Sequence, residues 1–299
     1  MRLVVAVGGN ALLKRGEPMS IDTQRRNMAK AALGLARACA PFETALVHGN
    51  GPQVGLLALE AAAFEAAPPM PLDVLGAQSQ GLIGYVIAQA LGDLSPRPVS
   101  VLLTQVEVDP ADPAFAAPTK PIGPVYRDDE VDAPRRRGWR LAPDGEGWRR
   151  VVGSPRPLDI VELAAVTSLM SAGHLVICAG GGGIPVRRDA EGRLAGVEAV
   201  IDKDLSAALL AERLAAQRLV ILTDVDGIYV GWGGAGARRL EAVTPSVLRG
   251  ETFAAGSMGP KAEAVCRFVD RPGRTAAIGA LAEAEAVIAG RAGTQVRPD

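Results

Sequence analysis

The chain reads as an α/β protein, a mainly parallel sheet sandwiched by helices, and three features of its sequence carry that reading. Short branched apolar runs of strand length alternate along the chain with longer amphipathic stretches of helical period, the rhythm of strand–helix–strand units. Three of those runs empty into loops crowded with glycine: RLVVAVGGNA at 2–11, ALVHGNGPQVG at 45–55 and LVICAGGGGIPV at 175–186. One long segment, 105–157, breaks the rhythm with proline, charge and tryptophan, and reads as an ordered flap leaving the sheet.

Taken in order, the first strand is followed by Ser20, an N-cap for an amphipathic helix to about residue 40. The GNGP loop opens a second helix from Gln53, with Pro52 where a first-turn proline belongs, to about residue 67. A further helix covers about 76–91, ahead of an apolar strand at 99–103. Residues 158–172 read as helix, stopped by Gly173, before a strand at 175–179. The stretch 187–196, with DAEG at its centre, reads as a surface β-hairpin. The second half repeats the rhythm with a helix at 205–214, a strand at 219–222, a helix from Pro260, a strand at 275–278, a short helix and a final strand.

Composition narrows the function. At 299 residues the chain can bury a large core, as one α/β unit or two lobes. A hydrophobic share of 48% with only 4% aromatic residues fits a core of Ala, Val and Leu. The formal net charge of −1 removes the electrostatic footprint of a nucleic-acid binder, while small anions remain accessible through local lysines. No stretch approaches the ~20 apolar residues of a membrane span and the start lacks a leader pattern, so a cytoplasmic protein is expected. Cys39, Cys178 and Cys266 are odd in number and far apart, and they read as packed hydrophobes rather than disulfide partners. With His48 and His174 the only histidines, no Cys/His zinc cluster is available, and any metal is expected to arrive with a nucleotide. His48 either touches a ligand or fixes the backbone of the glycine loop that follows it.

Glycine admits positive φ and lets backbone N–H groups close on an oxyanion, so the three loops together suggest a phosphate cradle; each alone is equally a tight turn. No GxxxxGK[ST] string occurs, and the second loop spaces its glycines GxGxxxG rather than GxGxxG, so it reads neither as a P-loop nor as an evident dinucleotide fingerprint. In an open parallel sheet the strands' carboxyl ends share one edge, where loops distant in sequence meet. Lysine is scarce, and two lysines stand at helix starts: Lys203 in VIDKDLSAALL, where Asp204 is read as the cap, and Lys261 in GSMGPKAEAV. A cation is mildly unfavourable at that end of a helix, so both are read as partners of a bound phosphate, with a solvated surface charge as the alternative. Lys120 in PTKPIGP is held between prolines in the flap. Asp224 and Asp226 end a strand and enter a glycine turn, an Asx-type arrangement without the remaining ligands of a calcium loop.

The run GGNAL, HGNGPQVG, LTQVEVDPADPAF, PTKPIGP, GWRRVVGSPRP, GGGGIPV, GVEAVIDKD and GSMGPK resembles the motifs of carbamate kinases, in order and over nearly the whole chain. TDVDG is shared more widely among amino-acid kinases, whereas PTKPIGP, GWRRVV and the four-glycine loop together are specific to carbamate kinases. The resemblance implies an open αβα sandwich with a protruding lid subdomain (105–157), an acceptor lobe of about 1–195 and a nucleotide lobe of about 196–299 within a single 299-residue unit. It also implies a homodimer and phosphoryl exchange between carbamoyl phosphate and ADP with Mg²⁺, giving ATP and carbamate. By the same resemblance, catalytic roles fall to Lys120, Lys203, Asp204 and Lys261. Gly8, Gly9, Asn10, Gly49, Asn50, Gly51, Gly181, Gly182 and Gly183 surround the transferred group, and Thr223, Asp224, Tyr229 and Met258 border the nucleotide. Many amino-acid kinases carry a lysine just before the first glycine pair; this chain has Ala6 and Val7, and Lys120 is expected to supply that charge from the lid. A kinase of another carboxylate, which would need an arginine clamp, and a sensor without turnover are the competing readings. The route that supplies carbamoyl phosphate, through arginine, purine or another degradation, stays open.

Overall fold

Branched apolar residues at strand spacing build an eight-stranded central sheet in the order Ala242–Val243, Thr294–Val296, Thr275–Ala280, Arg218–Thr223, Arg2–Val7, Glu43–His48, Leu175–Ile177, Val99–Val101. The computed structural model describes residues 1–13, 16–64, 66, 68–232, 236–253 and 258–299. Every neighbouring pair in the sheet is parallel except Thr275–Ala280 with Thr294–Val296. Alternation along the first strand splits its residues between two cores, as a sheet covered on both faces requires. Val4 and Ala6 pack on one side with the helices Lys203–Arg213 and Met258–Val269, and Leu3, Val5 and Val7 on the other with Ile21–Cys39 and Leu72–Gly92.

The elements form for local reasons in most places. Ser20 caps the helix Ile21–Cys39 by accepting from the Thr23 N–H. Gly173, at φ 92°, ends the helix Leu163–Ser171. The expected hairpin pairs Ile184–Arg188 with Leu194–Gly196.

Several boundaries differ from expectation. The GNGP helix spans Gly51–Ala63, starting two residues before Gln53; residues 65 and 67 of its expected end lie outside the described residues. The next helix starts at Leu72, because the Glu198 carboxylate, far away in sequence, accepts the Leu72 N–H at 2.7 Å. Residues 158–160, expected as the start of a helix, lie instead in the strand Pro157–Ile160, which pairs antiparallel with Gln105–Val108. The flap between those strands is ordered: Lys120–Tyr126 and Leu141–Asp144 flank Gly147–Val152 in a three-stranded antiparallel sheet. Finally, the helix expected from Leu205 starts at Lys203, which moves its cap.

Candidate active site

Because the strands Arg218–Thr223, Arg2–Val7, Glu43–His48 and Leu175–Ile177 are adjacent and parallel, their carboxyl ends open on one edge of the sheet. The pairing continues into the loops: Gly8 N–H donates to Leu222 O at 2.8 Å and Gly49 N–H to Val7 O at 2.9 Å. The loops then approach so closely that a Cβ on Gly49 would lie 2.7 Å from Gly9 N. The third loop joins them through Gly181, at φ 66°, where a Cβ would lie 2.2 Å from Asn50 Nδ2. Between them is a cavity of about 170 Å³ lined by Gly8, Gly9, Gly49, Asn50, Gly51, Pro52, Lys120, Pro121, Arg149, Gly181, Ile201, Asp202, Lys203, Asp204, Thr223 and Lys261. Sequence-distant glycine loops therefore share one space.

Three ammonium groups reach it, and two carboxylates hold them. Lys203 Nζ donates to Asp204 Oδ1 at 2.6 Å, Lys261 Nζ to Asp204 Oδ2 at 3.3 Å, and Lys120 Nζ to Asp202 Oδ2. Asp202, rather than Asp204, caps the helix Lys203–Arg213: its Oδ1 accepts from Asp204 N–H at 2.9 Å and Leu205 N–H at 3.3 Å. That corrects the capping role expected of Asp204, whose carboxylate is turned to the lysines instead. Burial works to raise the Asp202 pKa, but the Lys120 and Lys203 charges outweigh it and hold the carboxyl below the usual carboxylate range. Burial pushes the Lys203 pKa down despite Asp204; for Lys261, burial is outweighed by Asp204 and Asp202, and the pKa rises. Three ammoniums against two carboxylates leave these five groups net positive, which suits an anionic ligand. The solvated-charge alternative fails for Lys203, whose side chain is only 10% exposed.

The other expected residues are placed as follows. Thr223 lines the cavity and donates from Oγ1 to Asp224 Oδ1 at 3.0 Å. Tyr229 donates to Asp226 at 2.9 Å, and Met258 begins the helix that carries Lys261 while packing on the core beneath. Gly182 and Gly183 back the third loop against Ile201 and Val106, outside the cavity lining. Asn10 belongs to the short helix Gly9–Leu12, and its side chain lies outside the described residues, as does part of the glycine stretch at 231–239. His48 is buried behind the second loop, its ring bonded to Gly49 O at 3.0 Å, and burial pushes its pKa down to about 4. It is a neutral brace for the loop. The three thiols are buried, their pKa values pushed up by burial to about 12 for Cys39 and Cys178 and about 11 for Cys266, as hydrophobic packing demands.

Two charged cavity residues were not singled out from sequence. Asp202 hides beside the more conspicuous Asp204 in DKD. Arg149 comes from GWRRVV in the flap, where strand alternation sends Arg149 to the cavity and Arg150 to the Trp139 ring, 4.1 Å from its centroid. Arg149 also donates to Gly123 O at 2.8 Å and pairs with Asp144 at 3.3 Å, contacts that fix it within the flap. Among the described residues, no group of three or more His, Cys, Asp or Glu side chains is arranged to hold a metal. No described helix is long and apolar enough to cross a membrane.

Comparison with known proteins gives a consistent picture. Residues 1–279 match the amino acid kinase family. Over 299 residues the chain is 49% identical to a carbamate kinase of Haemophilus influenzae, covering 99% of this chain and 96% of the relative. It is 51% identical over 295 residues to a carbamate kinase of Escherichia coli K12, covering 98% of each. A solved carbamate kinase from Giardia lamblia bound to AMP-PNP superimposes with a TM-score of 0.88 at 41% identity, covering 100% of this chain and 98% of that one.

Proposed function

The chain belongs to the amino acid kinase family, in its carbamate kinase branch, and from that premise we propose how its site performs the transfer. The reaction is phosphoryl exchange between carbamoyl phosphate and ADP, giving ATP and carbamate, which decomposes to ammonia and carbon dioxide. One observation carries the assignment of the chemistry to this cavity: Lys120, Lys203 and Lys261, on three separate elements, converge there with Asp202 and Asp204 between glycine loops.

Carbamate is already an anion, so its oxygen needs no general base. The site accordingly offers cations and backbone N–H groups, which stabilise and align a loose phosphoryl transition state. Lys203 and Lys261 neutralise the transferred oxygens, and Asp204 keeps the two ammoniums from separating. Lys120 adds a third charge from the flap, steadied by Asp202. Gly8, Gly9, Gly49, Gly51 and Gly181, with Asn10 and Asn50, surround the acceptor, and Gly182 and Gly183 shape the third loop behind them. Thr223, Asp224, Tyr229 and Met258 border the nucleotide in the lobe of about 196–299, opposite the acceptor lobe of about 1–195.

Mg²⁺ fits as an ion carried by the nucleotide. The two cavity carboxylates are occupied by lysines, so phosphate oxygens would supply most of its ligands, and Asp224, bonded to the cavity residue Thr223, is a further carboxylate that would hold it. Bound there, it supplies charge neutralisation on the nucleotide phosphates. A cytoplasmic homodimer completes the proposal.

The test is an ATP-coupled assay with carbamoyl phosphate and Mg-ADP, run beside N-acetylglutamate and aspartate with ATP. ATP should form only in the first, and EDTA should stop it. Phosphorylation of either amino acid with no ATP from carbamoyl phosphate would move the chain to the same-fold rival.

A further inference from the structure

Carbamate differs from other small carboxylates in its amino group, a donor of two N–H bonds, so a selective site needs an acceptor aimed at it. The aspartate oxygens of the cavity are engaged by lysines and by the cap of the Lys203 helix. Asn50 offers a carboxamide at the second glycine loop, where it lines the cavity. Which end of that carboxamide faces the cavity is decided behind it. Ser79, completely buried on the helix Leu72–Gly92, donates its hydroxyl proton to Gly76 O at 2.7 Å. A carbonyl only accepts, so the Ser79 oxygen is left to accept, and the atom 2.8 Å from it must be the Asn50 amide nitrogen. Oδ1 is thereby the other branch. Among the described residues it has no partner, and it is absent from the protein's buried unpartnered side-chain atoms, so it opens onto the cavity.

We propose that Asn50 Oδ1 accepts from the amino group of carbamate and carbamoyl phosphate, and that Ser79 is the positioning residue that keeps this oxygen turned to the substrate. Rotation of the carboxamide by half a turn would present N–H to N–H, and Ser79 prevents it by having its only proton committed to Gly76. The inference rests on the carbamate kinase reading of the site.

Acetyl phosphate is the probe, because a methyl group replaces the amino group on an otherwise equivalent acyl phosphate. A site built to bond an N–H rejects an analogue lacking it far more strongly than a shape-based pocket does. The measurement is kcat/KM for carbamoyl phosphate over kcat/KM for acetyl phosphate, with ADP saturating, for wild type, Ser79→Ala, Asn50→Ala and the double variant; melting temperature checks folding. Ser79→Ala should lower the ratio by about tenfold or more, through a raised KM for carbamoyl phosphate with the KM for ADP unchanged. Asn50→Ala should lower the ratio at least as far, and the double variant no further, since both changes remove one interaction. Equal losses for the two substrates in Ser79→Ala, with the ratio kept, would overturn the inference while leaving the kinase reading intact. A wild-type protein that makes no ATP from carbamoyl phosphate would overturn both.

Discussion

Asp204→Asn removes the carboxylate that joins Lys203 and Lys261 while keeping its volume, and its consequence can be worked from the distances. At an effective dielectric constant of about 20, unit charges 2.6 Å apart attract by about 6 kcal/mol and those 3.3 Å apart by about 5 kcal/mol. Desolvation offsets most of this in the native protein, but removing one partner of a buried pair leaves the other's desolvation uncompensated, typically about 3–5 kcal/mol. The Asp204 side chain is 2% exposed and that of Lys203 10%, so that range applies. Part of the strain is relieved if Lys203 gives up its proton. Burial already lowers its pKa, and Asp204 is the largest influence raising it, so the variant's Lys203 must titrate at lower pH than the wild type's. The neutral amine no longer stabilises the transferred phosphoryl group. The alkaline limb of the kcat profile should therefore move to lower pH, and kcat at neutral pH should fall on the order of 10²-fold or more. Stopped-time assays of ATP formation from pH 6 to 10, with melting at each pH, give both quantities. An alkaline limb unmoved in a folded Asp204→Asn protein would refute the coupling between the two groups.

Three further expectations follow from named contacts. Alanine at Lys203 or Lys261 should lower kcat by roughly 10²–10³, the usual effect of losing one preorganised donor, and should also lower the melting temperature because Asp204 then loses part of its buried pairing; a loss under tenfold at both would remove them from the chemistry. Lys120→Ala should slow turnover strongly while leaving ADP affinity by calorimetry nearly unchanged, since Lys120 stands in the flap; parallel losses would make it a nucleotide ligand instead. Asp202 has a lowered pKa in the folded protein, so its stabilisation is present above the unfolded value of about 3.9 and is lost as pH falls through the folded one. Asp202→Asn should accordingly flatten the acid dependence of stability, and an unchanged acid limb in denaturant titrations would exclude that role.

Most of the fold was legible because its signals are local. Ser20 names its helix start, and the glycine loops mark the strand ends. Where the reading failed, a distant partner decided the outcome. Pro157–Ile160 continues smoothly into an apolar run that looks helical, and only its pairing with Gln105–Val108 makes it a strand. Leu72 begins a helix because Glu198 is there to accept its N–H. At the site, lysine scarcity and helix-start positions exposed Lys203 and Lys261, whereas DKD offers two carboxylates and local sequence does not say which one caps. Arg149 needed the register of the flap to separate it from Arg150. Ser79 carries no motif at all, and its part emerges only from the direction of one hydroxyl bond.

The central claim is direct transfer of the phosphoryl group between carbamoyl phosphate and ADP in this cavity, and phosphorus NMR of a single sample follows both sides of it. With purified protein, carbamoyl phosphate and Mg-ADP, the carbamoyl phosphate resonance should fall as the γ-phosphate of ATP rises by the same amount. Carbamoyl phosphate consumed by folded protein but recovered as inorganic phosphate, with ADP unchanged, would contradict the account.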